Sequence, residues 1–242
     1  MEQLWFTALL NRLFGKATLA LLMMVGVHPK HPLTPITNSF AMEVLVALLL
    51  LTFFLAVRLR LSVDRPGALQ HAMEWIEGFV GNMGSEIIGH DYHAYHAYLI
   101  TLGLFILTCN LIGLLPSLES PTAVAVVPLG CALLTWFYYH FQGLRVNGFG
   151  YFKHFMGPVW WLAPLMLPIE IFSHTARVLS LTVRLYANMF AGEMVTLVFF
   201  SLVPIGIPIV FEGLHVGVAL IQTYIFVILA CVYLGEATAH EH

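Results

Sequence analysis

Arg184 lies near the middle of residues 169–203, a stretch of 35 positions that is almost wholly apolar and holds no proline. At the centre of a membrane helix an arginine costs roughly 2.5–3.5 kcal/mol on insertion scales. It cannot shed its proton to escape that cost. A permanent cation held among apolar residues therefore points to a path for ions or charged groups. At about 100° per residue, Glu170, Arg177, Ser180, Arg184 and Asn188 share one broad helical stripe. Glu170 is about 21 Å along the axis from Arg184, and Glu193 is about 13 Å away in the other direction, on nearly the opposite face. Downstream, His215 and Gln222 are seven apart and share a face, with Glu212 close to His215. The set is a central cation with titratable groups displaced to both sides. Two half-channels separated by an electrostatic barrier require this arrangement. A histidine beside a carboxylate titrates near ambient pH, and the fixed charge of Arg184 repels a proton attempting to pass directly.

Each residue also has a plainer reading. Glu170 and Arg177 could form a buried ion pair seven residues apart. His215 could be a hydrogen-bonded interior histidine, and Glu193 could end against water. Arg184 has no carboxylate three or four residues away on its own helix, so a structural partner would have to come from elsewhere. His90, His93 and His96 could spread three imidazoles over about 120° of one helix, which suits a metal; the competing reading is an interfacial segment that begins a span. His28, His31, His240 and His242 read as solvated ends.

The elements that must position these groups belong to a membrane. Of 242 residues, 60% are hydrophobic and 10% charged, with a mean hydropathy of +0.86. Soluble domains carry about 25% charged residues. Long apolar runs predict helical spans, without the alternation of a membrane β-barrel. The ten Lys and Arg residues are scattered, with no basic stripe for nucleic acid, and no P-loop is present. Cys109, Cys131 and Cys231 sit in apolar segments without CxxC spacing and read as small buried hydrophobes.

The pattern predicts an all-α integral membrane protein of about five transmembrane helices plus an amphipathic interfacial helix. Spans fall at 40–57, 98–115, 123–141, 160–203 and 209–234, with the interfacial helix over 68–88. Residues 1–38 form an N-terminal segment and 39–242 a single membrane domain. In the N-terminal segment Arg12 and Lys16 precede an apolar run, like a short secretory signal, but no small-x-small cleavage site follows; a helix along the membrane surface is the preferred reading. Arg58, Arg60 and Arg65 fall on the same side as Arg145 and Lys153, which the positive-inside rule makes cytoplasmic. The Pro116–Pro121 and Pro204–Pro208 turns carry no basic residue and fall outside. The N-terminus is then outside and the C-terminus cytoplasmic, although Arg12, Lys16 and Lys30 run against the rule.

A helix over 169–203 would be roughly 52 Å long, against a hydrocarbon core of about 30 Å. It must tilt steeply or bend, and 209–234 runs back beside it. Such an oblique hairpin needs a curved partner surface.

These residues resemble subunit a of the F-type ATP synthase, the stator half of a membrane proton motor. The resemblance is carried by Leu181, Arg184, Leu185, Asn188, Ala191, Gly192 and Glu193, which follow that family's run around its essential arginine. Leu167 to Ser173, Arg177, Ser180, and the segment Leu220-Ile221-Gln222-Thr223-Tyr224-Ile225-Phe226 are similar as well. So is Asn110-Leu111-Ile112-Gly113-Leu114-Leu115-Pro116, the family's second-span motif. Ala187 stands where bacterial members commonly have Gly, and Val178 where many have Pro. The likeness implies a bacterial plasma-membrane protein whose hairpin packs on a ring of c subunits, with a b-subunit peripheral stalk and the remaining ATP synthase subunits as further partners. It implies Arg184 as the essential arginine, with Glu170, Arg177, Ser180, Asn188, Glu193, His215 and Gln222 along the proton pathway. No cofactor and no bond chemistry in this chain are expected; H⁺ is the expected ion, with Na⁺ the alternative. The rival is a self-contained ion channel or secondary transporter, which would often be built from repeated halves; the sequence has no such repeat.

Overall fold

The computed structural model describes residues 4–24, 26, 34–62, 66–115, 118–151, 163–202 and 206–239. Among them run seven α-helices: α1 Trp5–Met24, α2 Asn38–Leu59, α3 Ala68–Ile87, α4 His93–Ile112, α5 Val126–Asn147, α6 Ala163–Leu202 and α7 Ile207–Thr238. Short 3₁₀ turns at His90–Tyr92, Pro121–Ala123 and Gly148–Gly150 join or extend them. Arg65, Lys153, Lys30, Pro116, Pro204 and the histidines at 28, 31, 240 and 242, used above, lie outside the described residues.

Five of these helices are long and apolar enough to cross a membrane: α1, α2, α4, α6 and α7. The chain is a multi-pass helical membrane protein. The number matches the expectation but the membership differs. α1 qualifies, where the sequence reading laid it on the surface; its Phe6 packs with Ile36, Ala41 and Met42 beside α2. Asn11 anchors that contact, donating to the Ile36 carbonyl and accepting from the Ile36 N–H. α5 falls short on apolarity because Trp136, Tyr138, Tyr139, His140 and Gln142 crowd its second half. Its 22 residues are still about 33 Å long. It lies against both α6 and α7, with Tyr139 buried and Phe137 and Phe141 exposed. Tyr139 faces the bundle, and α5 packs along its neighbours with apolar side chains on its outer side.

Boundaries shift for local reasons. α4 starts at His93 instead of 98 and stops at Ile112; Gly113, just past its end, meets Ser120 too closely for any side chain. Pro121–Ala123 makes its own turn, which delays α5 to Val126. α3 keeps its expected span, burying Val80 and Met83 and exposing Trp75 and Phe79.

α6 has 40 residues and runs through Pro168, giving about 60 Å of helix. Upright, it would overshoot the hydrocarbon core by about 30 Å. It forms an antiparallel hairpin with α7. Phe199 stacks on Phe211 with centroids 4.3 Å apart, Gly192 faces His215, and Arg177 meets Glu236. Leu181, Leu185 and Met189 bury against Ala219, Phe226 and Ala230, with Leu99 and Ile106 of α4 completing the core. At Gly143 a Cβ would sit 2.8 Å from the Ala237 carbonyl oxygen, so α5 and α7 touch backbone to backbone there.

Candidate functional site

Arg184 is fixed by a periodic helix whose neighbours Leu181 and Leu185 point into the core, at 3% and 1% exposure. It sits half-buried at the border of an unpartnered face made of Leu179, Ser180, Val183, Ala187, Asn188 and Ala191. Its Nη2 donates to the Ser180 hydroxyl at 3.3 Å. Among the described residues no carboxylate forms an ion pair with it.

Toward the hairpin turn lies one polar cluster. Glu193 Oε1 accepts from the Ser120 N–H at 3.1 Å. The Ser120 hydroxyl donates to the Cys109 carbonyl at 3.0 Å and lies 2.8 Å from the Thr122 hydroxyl. Thr122 donates to Asn110 Oδ1 at 2.7 Å, and Asn110 Nδ2 reaches the Ala219 carbonyl at 3.5 Å. Four segments, α4, the Pro121–Ala123 turn, α6 and α7, thereby meet around Glu193. His215 is buried, its ring against Gly192, and its Nε2 has no hydrogen-bond partner among the described residues. Gln222, also buried, is two turns farther along α7 toward Arg184.

Away from the turn lies a second cluster. His174 Nε2 is 3.3 Å from Glu170 Oε1, and its Nδ1 is 2.8 Å from the Tyr139 hydroxyl. His140 Nδ1 is 2.7 Å from the Tyr151 hydroxyl, and the His140 and His174 rings are 4.7 Å apart. Arg177 donates to Glu236 and stands 4.8 Å over the Tyr233 ring. A cation thus lies between two sets of buried or half-buried acid–base groups, one on each side along α6.

Residues 40–235 match the family described as ATP synthase A chain. The chain belongs to that family. It is 61% identical over 242 residues to ATP synthase subunit a of Koribacter versatilis, covering 100% of this chain and 99% of the relative. It is 49% identical over 224 residues to ATP synthase subunit a of Solibacter usitatus, covering 92% and 95%. Against ATP synthase subunit a 1 of Syntrophotalea carbinolica the identity is 43% over 198 residues, covering 82% and 84%. The bacterial resemblance drawn from Arg184 and its neighbours is therefore correct at the level of the family.

Within this family member, the structure sets His215 against Gly192, the residue before Glu193, and Ser180 on Arg184. Asn188 stays on the exposed face, apart from either cluster. The Glu170–Arg177 pair does not form: about 10 Å of helix rise separates them, and each has a nearer partner, His174 for Glu170 and Glu236 for Arg177. His93 rests on Tyr92 and His96 contacts the Glu77 carbonyl; among the described residues no trio of metal-ligating side chains comes together. Ser120, Thr122, His174 and Glu236 were missed as site residues. The hydroxyl residues flanking Pro121 were the one sequence hint, since a turn between two spans has little other use for them.

Proposed function

We propose that this chain is the proton-translocating stator subunit of the ATP synthase membrane sector, forming two aqueous half-channels and coupling proton flow to rotation of a c-subunit ring. The reading is carried by Arg184: a cation that no carboxylate among the described residues pairs, half-buried beside an exposed, unpartnered face, between two acid–base clusters. The missing partner is then a carboxylate on the ring, and the oblique hairpin is the surface that meets it. The b-subunit stalk and other ATP synthase subunits complete the assembly, with residues 39–242 as one membrane domain.

In this scheme the N-terminus is outside and the C-terminus cytoplasmic, in a bacterial plasma membrane. A proton enters from the outer side past Glu193, His215, Gln222 and Asn188 and neutralises a ring carboxylate, which can then face lipid. After nearly a full turn that carboxylate meets Arg184, whose charge favours its ionised form. The proton leaves past Ser180, Arg177 and Glu170. Arg184 also blocks direct passage between the two sides. The chain makes and breaks no bond of ATP.

The test compares wild type with Arg184→Ala in vesicles carrying the complete complex, reading ATP-driven pumping and passive proton leak. Loss of coupled pumping, retained ring binding and a raised leak are expected. Normal coupled pumping would make Arg184 a structural arginine and sink the mechanism.

A further inference from the structure

His174 is a buried imidazole that the path above does not use. Most interior histidines fill space and satisfy one nitrogen on a nearby carbonyl. Here both ring nitrogens face acid–base groups: Nε2 lies 3.3 Å from a Glu170 carboxyl oxygen and Nδ1 lies 2.8 Å from the Tyr139 hydroxyl. Tyr139 is itself buried, at 2% exposure, and its ring lies against that of His174. The imidazole is held in one orientation from both ends.

Beyond it the environment opens. His174, His140, Tyr151 and Thr175, with Trp136 and Leu144, line a cavity of about 350 Å³. A water takes about 30 Å³ of liquid volume and needs two to four polar partners; the cavity walls are mostly apolar, and the imidazoles and hydroxyls among them are the groups that water would bind. The cavity lies at the end of α5 and α6 that carries Arg145 and Tyr151, away from the hairpin turn. Arg177, the nearest fixed charge on α6, is engaged by Glu236.

We propose that His174 is the proton relay at this end of the path, passing protons between Glu170 and the cavity that His140 and Tyr151 line. This rests on the half-channel reading, which sends protons out past Glu170. With Nδ1–H donating to the Tyr139 oxygen, Nε2 is the basic atom. It accepts the proton of a protonated Glu170, leaving a carboxylate and an imidazolium. A cavity water then replaces the Glu170 carboxylate at Nε2 and takes the proton from it, returning the ring to neutral imidazole. One proton has moved and both groups are restored. Tyr139 is a positioning residue: it holds the ring plane. His140 and Tyr151 carry the proton onward as polar walls of the cavity.

The experiment measures ATP-driven pumping in inverted vesicles carrying the complete complex, whose cytoplasmic face meets the medium. His174→Ala is expected to pump about a hundredfold slower or worse, the scale of losing one acid–base group, with the c ring retained. Imidazole added to the medium should restore much of the rate in that variant and none in wild type. His174→Gln, which keeps polar reach without titrating, should be equally slow and show a larger solvent deuterium isotope effect than wild type; it decides the matter if the alanine variant loses the ring. Wild-type pumping in His174→Gln, or slowing with neither imidazole rescue nor an isotope effect, would overturn the relay. Arg184→Ala run alongside separates the two failures: if it stays coupled, the half-channel reading itself is wrong, whereas uncoupling there with a normal His174→Gln removes the relay alone.

Discussion

The ring of His215 occupies the space that α6 leaves open at Gly192, where a Cβ would come within 3.0 Å of the imidazole. This one glycine lets the two helices of the hairpin close around a buried histidine next to Glu193. Alanine there gains up to about 1 kcal/mol of helix propensity, while overpacking costs roughly 1–3 kcal/mol. Gly192→Ala is therefore expected to lie between neutral and about 2 kcal/mol destabilising, and to displace His215 and slow pumping. Gly192→Val should nearly abolish pumping while the ring stays bound, as read by native gel and vesicle assay. Wild-type pumping in the valine variant would show that this close approach has no part in the inlet.

The two arginines of α6 should behave differently. Arg177 is neutralised by Glu236, with side-chain exposures of 21% and 51%. Arg184 has no such partner among the described residues. Arg177→Ala is expected to leave the passive leak low, in contrast to Arg184→Ala. A double-mutant cycle of Arg177→Ala with Glu236→Ala, read by thermal unfolding, should give a coupling of about 1 kcal/mol or less, since the pair is partly in water. A leak in Arg177→Ala as large as that of Arg184→Ala would mean that both cations build the barrier.

That distinction could not be read from the sequence. The periodicity of α6 and its excess length are local properties, so the stripe through Glu170, Ser180 and Arg184 was legible. Which residues of α7 it meets depends on the register of the hairpin, and the apolar turn carries nothing that sets it. Glu236 follows the last apolar residues and reads as part of a solvated tail; α7 continues to Thr238 and brings it to Arg177. The burial of Tyr139 was hidden for a similar reason. Composition averages α5 over all its faces, whereas the bundle buries only one of them. Gly192 was seen as part of a motif, but its role depends on a partner 23 positions away.

The cysteines provide a check on the packing of the bundle. Cys109, Cys131 and Cys231 are all free and buried, at 0%, 7% and 0% exposure. Maleimide labelling of the assembled complex is expected to modify none of them until denaturant is added. Labelling of Cys109 under native conditions would contradict the packing of α4 on α2, and labelling of Cys231 the packing of α7 in the main core.

Asn110 and Thr122 are both fully buried and hydrogen-bonded to each other at 2.7 Å. Losing one partner leaves the other buried and unsatisfied, at a cost of about 1–3 kcal/mol, whereas replacing both by apolar groups of similar shape can be nearly neutral. Thr122→Val and Asn110→Leu should each destabilise by that amount, and the double variant by clearly less than their sum. Thermal unfolding of the four proteins measures the coupling; additivity within about 0.5 kcal/mol would rule the network out. A functional effect should accompany the structural one. Ser120, which lies between Cys109 and Thr122 in this network, presents its main-chain N–H to Glu193. Loosening the turn by Thr122→Val is then expected to slow pumping even though Thr122 itself does not touch Glu193. Unchanged pumping in a destabilised Thr122→Val variant would confine the network to a structural role.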